Sequence, residues 1–357
     1  MSKKFLVLTA SFGSGHNSAA RAICNQLTKN NYNYEIYDMV DFFGGENGKK
    51  IQTLQLFMAE KIPLSRSSAF FLSDQEMIIE TLQKLNPFQN HQKFEEIMKK
   101  FNPNHIIIVH PFRLTLLEKY GEKNPKTFSI GTVITDSQNI HSSRHIHNEI
   151  VDFYFLIDQK TQQIFHKKFN HLQKNTICSF FPLEKNFFHN KTNKKIHKIS
   201  LLLTGLSLNF TKKLLENFQS EKYKVLIIKG RNDLDFIRLK SEFQQNKKFS
   251  FEEFVPIAKE LKNIDCMIGK AGGALMSECI ANDVPLVVPQ FIPGQEKGNV
   301  DSITKNKIGI YEKNPKKILE YIKNCDLGKV QKNCQKIKKK NSCEIIIKKM
   351  IEKTSLE

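Results

Sequence analysis

The stretch Gly269–Asn299, GKAGGALMSECIANDVPLVVPQFIPGQEKGN, decides how this chain is read. An apolar strand, Asp265 to Ile268, runs into Lys270-Ala271-Gly272-Gly273, and a helix starts near Gly273 with Glu278 on its second turn. A second apolar strand, Pro285 to Pro289, leads into Pro293-Gly294-Gln295-Glu296 and on to Asn299. Glycines at a strand-to-helix junction let the backbone approach a ligand, and the N–H groups and dipole of the helix start favour an anion there. Glu278 would repel a phosphate at close range, so it is read as an acceptor for vicinal ribose hydroxyls just beyond one. Gln295, Glu296 and Asn299 offer donors and acceptors that suit sugar hydroxyls better than a planar base. A glycine pair before a helix is by itself an ordinary turn. The joint spacing of GG, SE, a buried VPLVVP strand and PGQExxN is what carries the reading.

Outward from this run the chain alternates strand and helix. Phe5 to Thr9 is an unbroken apolar run, as a buried parallel strand should be. The loop SFGSGH, Ser11 to His16, follows, then a helix from about Asn17 to Thr28. Further strands are expected at Tyr34 to Tyr37, Ile106 to Val109, Phe128 to Ile134 and Phe153 to Ile157. The rhythm breaks in the polar, basic stretch from Leu183 to His197 and restarts at Ile199 to Leu203, Lys224 to Ile228 and Phe249 to Phe254. The pattern predicts an α/β chain of two doubly wound domains, 1–185 and 196–340, with a terminal helical segment 341–357. Gly44 to Asn104 fits the rhythm poorly. Its Leu54, Phe57, Phe70 and Phe71 stand among Lys49, Lys50, Lys61 and Arg66, which suits either a helical hairpin with its own core or a basic-rimmed lipid-docking surface.

Composition narrows the partners. Fifty-five basic against 36 acidic side chains leave a formal charge of +19 over 357 residues. That excess favours an anionic partner such as a membrane face or nucleic acid, or reflects lysine spread over a solvated surface. The chain has no tryptophan, and no aromatic–basic nucleic-acid motif stands out. Seven cysteines with no CxxC pair read as reduced thiols of a cytoplasmic protein. The apolar run near Met1 is too short for a signal peptide, and no run reaches the length of a membrane span. A lipid substrate would therefore be met at the inner face of the cell membrane by a peripheral protein.

The run Gly269–Asn299 resembles the nucleotide-sugar motif of glycosyltransferase family 28, which holds the monogalactosyl- and processive glucosyl-diacylglycerol synthases and the peptidoglycan lipid-intermediate GlcNAc transferase. Ala271 stands where that family usually has Pro. The resemblance extends to TASFGSGH, which is similar to the amino-terminal motif of the diacylglycerol glycosyltransferases, and to Thr135-Asp136 with His141. The usual Trp after that histidine is missing. The resemblance implies the GT-B fold, two Rossmann-like domains facing across a cleft, with the last helix returning to the first. It implies inverting transfer of a hexose from a UDP-sugar, a co-substrate, to diacylglycerol or a related lipid. Gly205, Phe254, Val255, Gly272, Gly273, Ala274, Glu278, Gln295, Glu296 and Asn299 would face the donor, with Phe254-Val255 at the uracil. Gly13, Gly15 and His141 would face the acceptor, with His16 or Asp136 as base or orienter.

The first loop invites a dinucleotide reading, but Ser18 stands where the third glycine belongs, and Asp38 or Asp41 would have to take the ribose. The set His110, Asp136 and His141 lacks the spacing of a zinc site, and Asp233-Leu234-Asp235 reads as a helix opening. No metal or cofactor is expected. A lipid-linked GlcNAc transferase, a nucleotide-sugar epimerase, a non-catalytic lipid-binding relative and a basic nucleic-acid-binding protein are the competing readings.

Overall fold

Short apolar runs build parallel strands throughout, because a strand covered on both faces has no solvent side to keep polar. β1 (Lys4–Thr9) is the plainest case, with Phe5, Leu6 and Val7 fully buried. The computed structural model describes residues 3–11, 14–38, 42, 91–109, 115–140, 150–230 and 233–353. The expected lipid-docking or hairpin segment lies mostly outside them. The chain divides into two compact units, Met1–Glu184 with Pro293–Gln295 and Asn341–Glu357, and Lys185–Ile292 with Glu296–Lys340.

In the first unit β1 is followed by α1 (Ser14–Lys29), β2 (Asn33–Asp38), α2 (His91–Phe101), β3 (His105–Ile108), α3 (Thr115–Lys123), β4 (Ser129–Ile134), β5 (Phe153–Leu156), α4 (Gln159–Lys168) and β6 (Thr176–Cys178). The strands form one parallel sheet in the order β2-β1-β3-β4-β5-β6. The chain goes outward from β1 to β2 and then returns to β3 on the other side of β1, so the order reverses between β1 and β3. On α1, Ala19, Ala20, Ile23 and Leu27 make one fully buried stripe, the spacing that drives an amphipathic helix onto a sheet.

The second unit runs β7 (Lys198–Leu202), α5 (Leu208–Phe218), β8 (Lys224–Ile228), α6 (Asp233–Phe243), β9 (Phe249–Glu252), α7 (Ile257–Asn263), β10 (Cys266–Ile268), α8 (Gly273–Ala281), β11 (Leu286–Val288), α9 (Lys297–Lys305), β12 (Gly309–Tyr311), α10 (Pro315–Asn324) and α11 (Leu327–Ile337). Its sheet order is β12-β11-β10-β7-β8-β9, with the reversal between β7 and β10. The core beneath it gathers Leu201, Leu214, Phe218, Ile227, Phe236, Ile268 and Val287. The last helix, α12 (Ser342–Lys353), groups with the first unit. Its Met350 lies so close to β4 that a Cβ on Gly131 would meet the sulfur at 2.5 Å.

The stretch read as a polar linker is not a solvated tether. From Lys185 onward it is part of the second unit. The Lys191 ammonium is buried and donates to the carbonyls of Lys262, at 3.0 Å, and Ile264. That burial draws its pKa down. Lys338 and Asp283, with side chains 5% and 0% exposed, form an ion pair at 2.7 Å, and Lys338 also donates to Asn190 Oδ1 at 2.9 Å. The lysines here cap carbonyls and a buried carboxylate. No helix among the described residues is long and apolar enough to cross a membrane.

Candidate active site

Ligands of doubly wound sheets collect outside the carboxyl ends of the strands where the strand order reverses. In the second unit that place is set by the loops after β7 and β10. They touch: a Cβ on Gly205, at φ +78°, would come within 2.8 Å of Lys270 Cδ. The loop after β8 joins them, since a Cβ on Gly230, at φ +63°, would land 2.0 Å from Thr204 Oγ1. Both glycines occupy a left-handed backbone that other residues adopt at a cost, and neither site has room for a side chain.

α8 starts at this junction. Gly272 is its N-cap and carries no capping side chain, so the helix starts on backbone alone. The Gly272 N–H donates to Lys270 O at 2.9 Å, which shapes the turn. Asn299 is fully buried and donates from Nδ2 to Ala271 O at 2.9 Å, so it braces the glycine turn from behind. Glu278 sits further along α8, 7% exposed. Desolvation alone pushes its carboxyl up to about 7 from 4.5, with no cationic partner offsetting it.

Glu296 is 1% exposed. Its Oε1 accepts from the Lys270 ammonium and its Oε2 accepts from the Ile292 N–H at 2.8 Å. The Ser207 N–H donates to Gln290 Oε1 at 3.1 Å, which ties the β7 loop to the stretch after β11. Gln295 is half-buried and groups with the first unit, with Pro293 and Gly294. Phe254, just past β9, is 81% exposed, and Val255 beside it is half-buried. Gly205, Gly272, Gly273, Ala274, Glu296 and Asn299 thus belong to one set of interlocked loops. Lys270 and Gln290 hold that set together and were not singled out in the sequence, although both lie in its most informative run. Asp233 opens α6 and pairs with Lys229 at 2.8 Å, as a helix-opening residue should.

In the first unit the same topological position belongs to His16, near the start of α1. Its Nδ1 lies 3.2 Å from Val109 O, after β3, and 3.3 Å from Thr135 Oγ1, after β4. A carbonyl only accepts, so Nδ1 carries the hydrogen and Nε2 the lone pair. Asp136 follows Thr135 directly and is buried. The loop after β1 is filled by its own polar groups. Thr9 Oγ1 donates to Asn17 Oδ1 and Asn17 Nδ2 donates to Ser11 Oγ, each at 2.8 Å. Ser11 gives both its hydroxyl and its N–H to the Asp38 carboxylate. Asp38 therefore braces this loop, and Asp41, the other residue that the dinucleotide reading needed, lies outside the described residues. Gly15 lies in the first turn of α1, whereas Gly13, Asp41, His110 and His141 lie outside the described residues. Among the described residues no group of three or more His, Cys, Asp or Glu side chains is arranged to hold a metal ion.

Two α/β units, each built on one six-stranded parallel sheet, have the architecture of the GT-B class. Residues 16–180 match the family model of monogalactosyldiacylglycerol synthase, and residues 206–357 match that of the glycosyltransferase family 28 C-terminal domain. The chain is 23% identical over 392 residues to a processive diacylglycerol beta-glucosyltransferase of Bacillus licheniformis, spanning 99% of this chain and 96% of that protein. It is 23% identical over 377 residues to the chloroplastic monogalactosyldiacylglycerol synthase 3 of Arabidopsis thaliana, spanning 97% and 80%. The crystal structure of Acinetobacter baumannii MurG superposes with a TM-score of 0.60 at 10% identity, over 99% of this chain and all of that one. The chain belongs to glycosyltransferase family 28, in its diacylglycerol glycosyltransferase branch.

Proposed function

We propose that this protein transfers a hexose from a UDP-sugar to diacylglycerol, making a membrane glycolipid with inversion at the anomeric carbon. One observation carries the reading: α8 starts on glycine at the order reversal of its sheet and keeps a buried carboxylate, Glu278, behind that start. The start of α8, Gly272 to Ala274, would hold the diphosphate, Glu278 the ribose hydroxyls, and the exposed Phe254 with Val255 the base. The acceptor hydroxyl oxygen attacks the anomeric carbon. The bond from that carbon to the diphosphate oxygen breaks, and its electron pair leaves with UDP. The hydroxyl proton passes to Nε2 of His16, which the carbonyl at Nδ1 keeps in the accepting tautomer. Asp136, which directly follows Thr135, is the other candidate for base or orienter. The helix start and basic side chains offset the leaving charge, so the reaction calls for no divalent ion.

We also assign the protein a peripheral place on the anionic inner face of the cell membrane, supported by the +19 balance. Protein mixed with UDP-glucose or UDP-galactose and anionic vesicles carrying diacylglycerol should release UDP, equally well with a chelator present. Binding to those vesicles should weaken as salt rises. Absence of UDP release with every UDP-hexose and UDP-N-acetylhexosamine tried would overturn the reading.

A further inference from the structure

The ammonium of Lys270 is aimed, not loose. Its aliphatic stem lies against Gly205, and its Nζ donates to Glu296 Oε1. The Glu296 carboxylate is anchored from the other side by the Ile292 N–H at 2.8 Å and keeps only 2% of its side-chain surface, whereas Lys270 keeps 26%. Glu296 Oε1 also lies 4.0 Å from the point where a Cβ on Gly272 would sit. Ammonium, carboxylate and the start of α8 therefore share one small region. An anion brought to that helix start meets a buried negative charge, and binds there only if that charge is neutralised. Lys270 neutralises it. An ammonium has three N–H donors, and one carboxylate oxygen engages one of them.

We propose that Lys270 is the side-chain cation that binds the donor's diphosphate, and that Glu296 is the positioning residue that aims it. This rests on the donor-site reading of the second unit. The base and ribose of the nucleotide lie outside the scheme, so a uridine without phosphates is the natural control. The full chain and its K270M, K270R, E296Q and K270M/E296Q variants are titrated with UDP by calorimetry and with uridine by ligand-observed NMR. K270M should weaken UDP binding about tenfold or more while leaving uridine within about twofold, and K270R should recover most of the loss. K270M alone leaves Glu296 buried without its cation and can fail to fold. The double variant compared with E296Q strands no charge and should show the same UDP-selective loss. Equal losses for UDP and uridine, or no loss of UDP in either background, overturn the proposal. A wild-type chain that binds neither molecule overturns the donor-site reading itself, which is a separate and visible failure.

Discussion

Replacing Glu278 with Gln should make the free protein more stable and the donor site worse, with both effects set by pH. Burial holds the Glu278 carboxyl at about 7 instead of 4.5, a difference worth roughly 3 kcal/mol. A carboxyl raised in the folded state favours folding in its protonated form. That contribution is fully present below about pH 4.5 and is lost as pH rises through about 7. Above that, the ionised side chain costs the free protein up to about 3 kcal/mol, and at pH 5 only about 1 kcal/mol. Gln at this position has no such cost, so E278Q should raise Tm at pH 8, and the gain should shrink to about a third of that at pH 5. Donor binding has the opposite sign. Ribose hydroxyls donate to a carboxylate, so a UDP-hexose selects the ionised form. About a tenth of the groups are ionised at pH 6 and about nine-tenths at pH 8, which predicts roughly tenfold tighter binding at the higher pH. A UDP-hexose is the right ligand because its diphosphate is esterified at both ends and does not titrate in this range. Calorimetry at pH 6, 7 and 8 on the wild type and E278Q, with thermal unfolding of each without ligand, makes the comparison. A flat wild-type profile, or an E278Q profile with the same slope, refutes the ribose assignment. No gain in Tm at pH 8 refutes the desolvation argument.

Three further outcomes are expected. His16→Ala should lower turnover by about 10²- to 10⁴-fold while UDP-hexose affinity stays within about twofold, because the ring serves proton transfer and not donor binding; a comparable loss of affinity would count against that role. Gly205→Ala forces a side chain into a φ of +78° and onto Lys270, so the urea midpoint should fall by the equivalent of about 1–3 kcal/mol, and an unchanged midpoint would mean the loops have another way to pack. Lys338→Met strands the fully buried Asp283 carboxylate and should cost about 3–5 kcal/mol in thermal or chemical unfolding, with D283N in the same chain recovering part of it; equal stability of single and double variants would argue against the pair.

The fold was legible because its signals are local. Unbroken apolar strands such as Phe5 to Leu8 and Val284 to Val288, alternating with helical stripes, dictate parallel α/β units. Individual roles were less legible, because burial is not local. Glu296 and Asn299 stand in a polar, loop-like run and read as open sugar ligands, yet one is 1% and the other 0% exposed. They anchor Lys270 and Ala271 O respectively. Lys191 and Lys338 likewise look solvated in sequence, and only the carbonyls of Lys262 and Ile264 and the carboxylate of Asp283, from distant segments, show why they are buried. Thr135 stands in a recognisable Thr-Asp element, but its part in orienting His16 exists only because β1, β3 and β4 are neighbours in the sheet.

The two units share a topology and differ in what they do with it. In each, the loop after the first strand opens at the order reversal of a parallel sheet, which is where a ligand is expected. In the first unit that loop contains the glycine-rich SFGSGH, which falls short of a dinucleotide fingerprint because Ser18 stands where the third glycine belongs. Ser11, Asn17, Thr9 and Asp38 close it with hydrogen bonds among themselves. On the helix that follows, the His16 imidazole is oriented by Val109 O. In the second unit the loop after β7 has a single glycine, the weaker motif. Gly205 and Gly230 each sit where a Cβ would collide, with Lys270 and Thr204 respectively, so the loops after β7, β8 and β10 lock together.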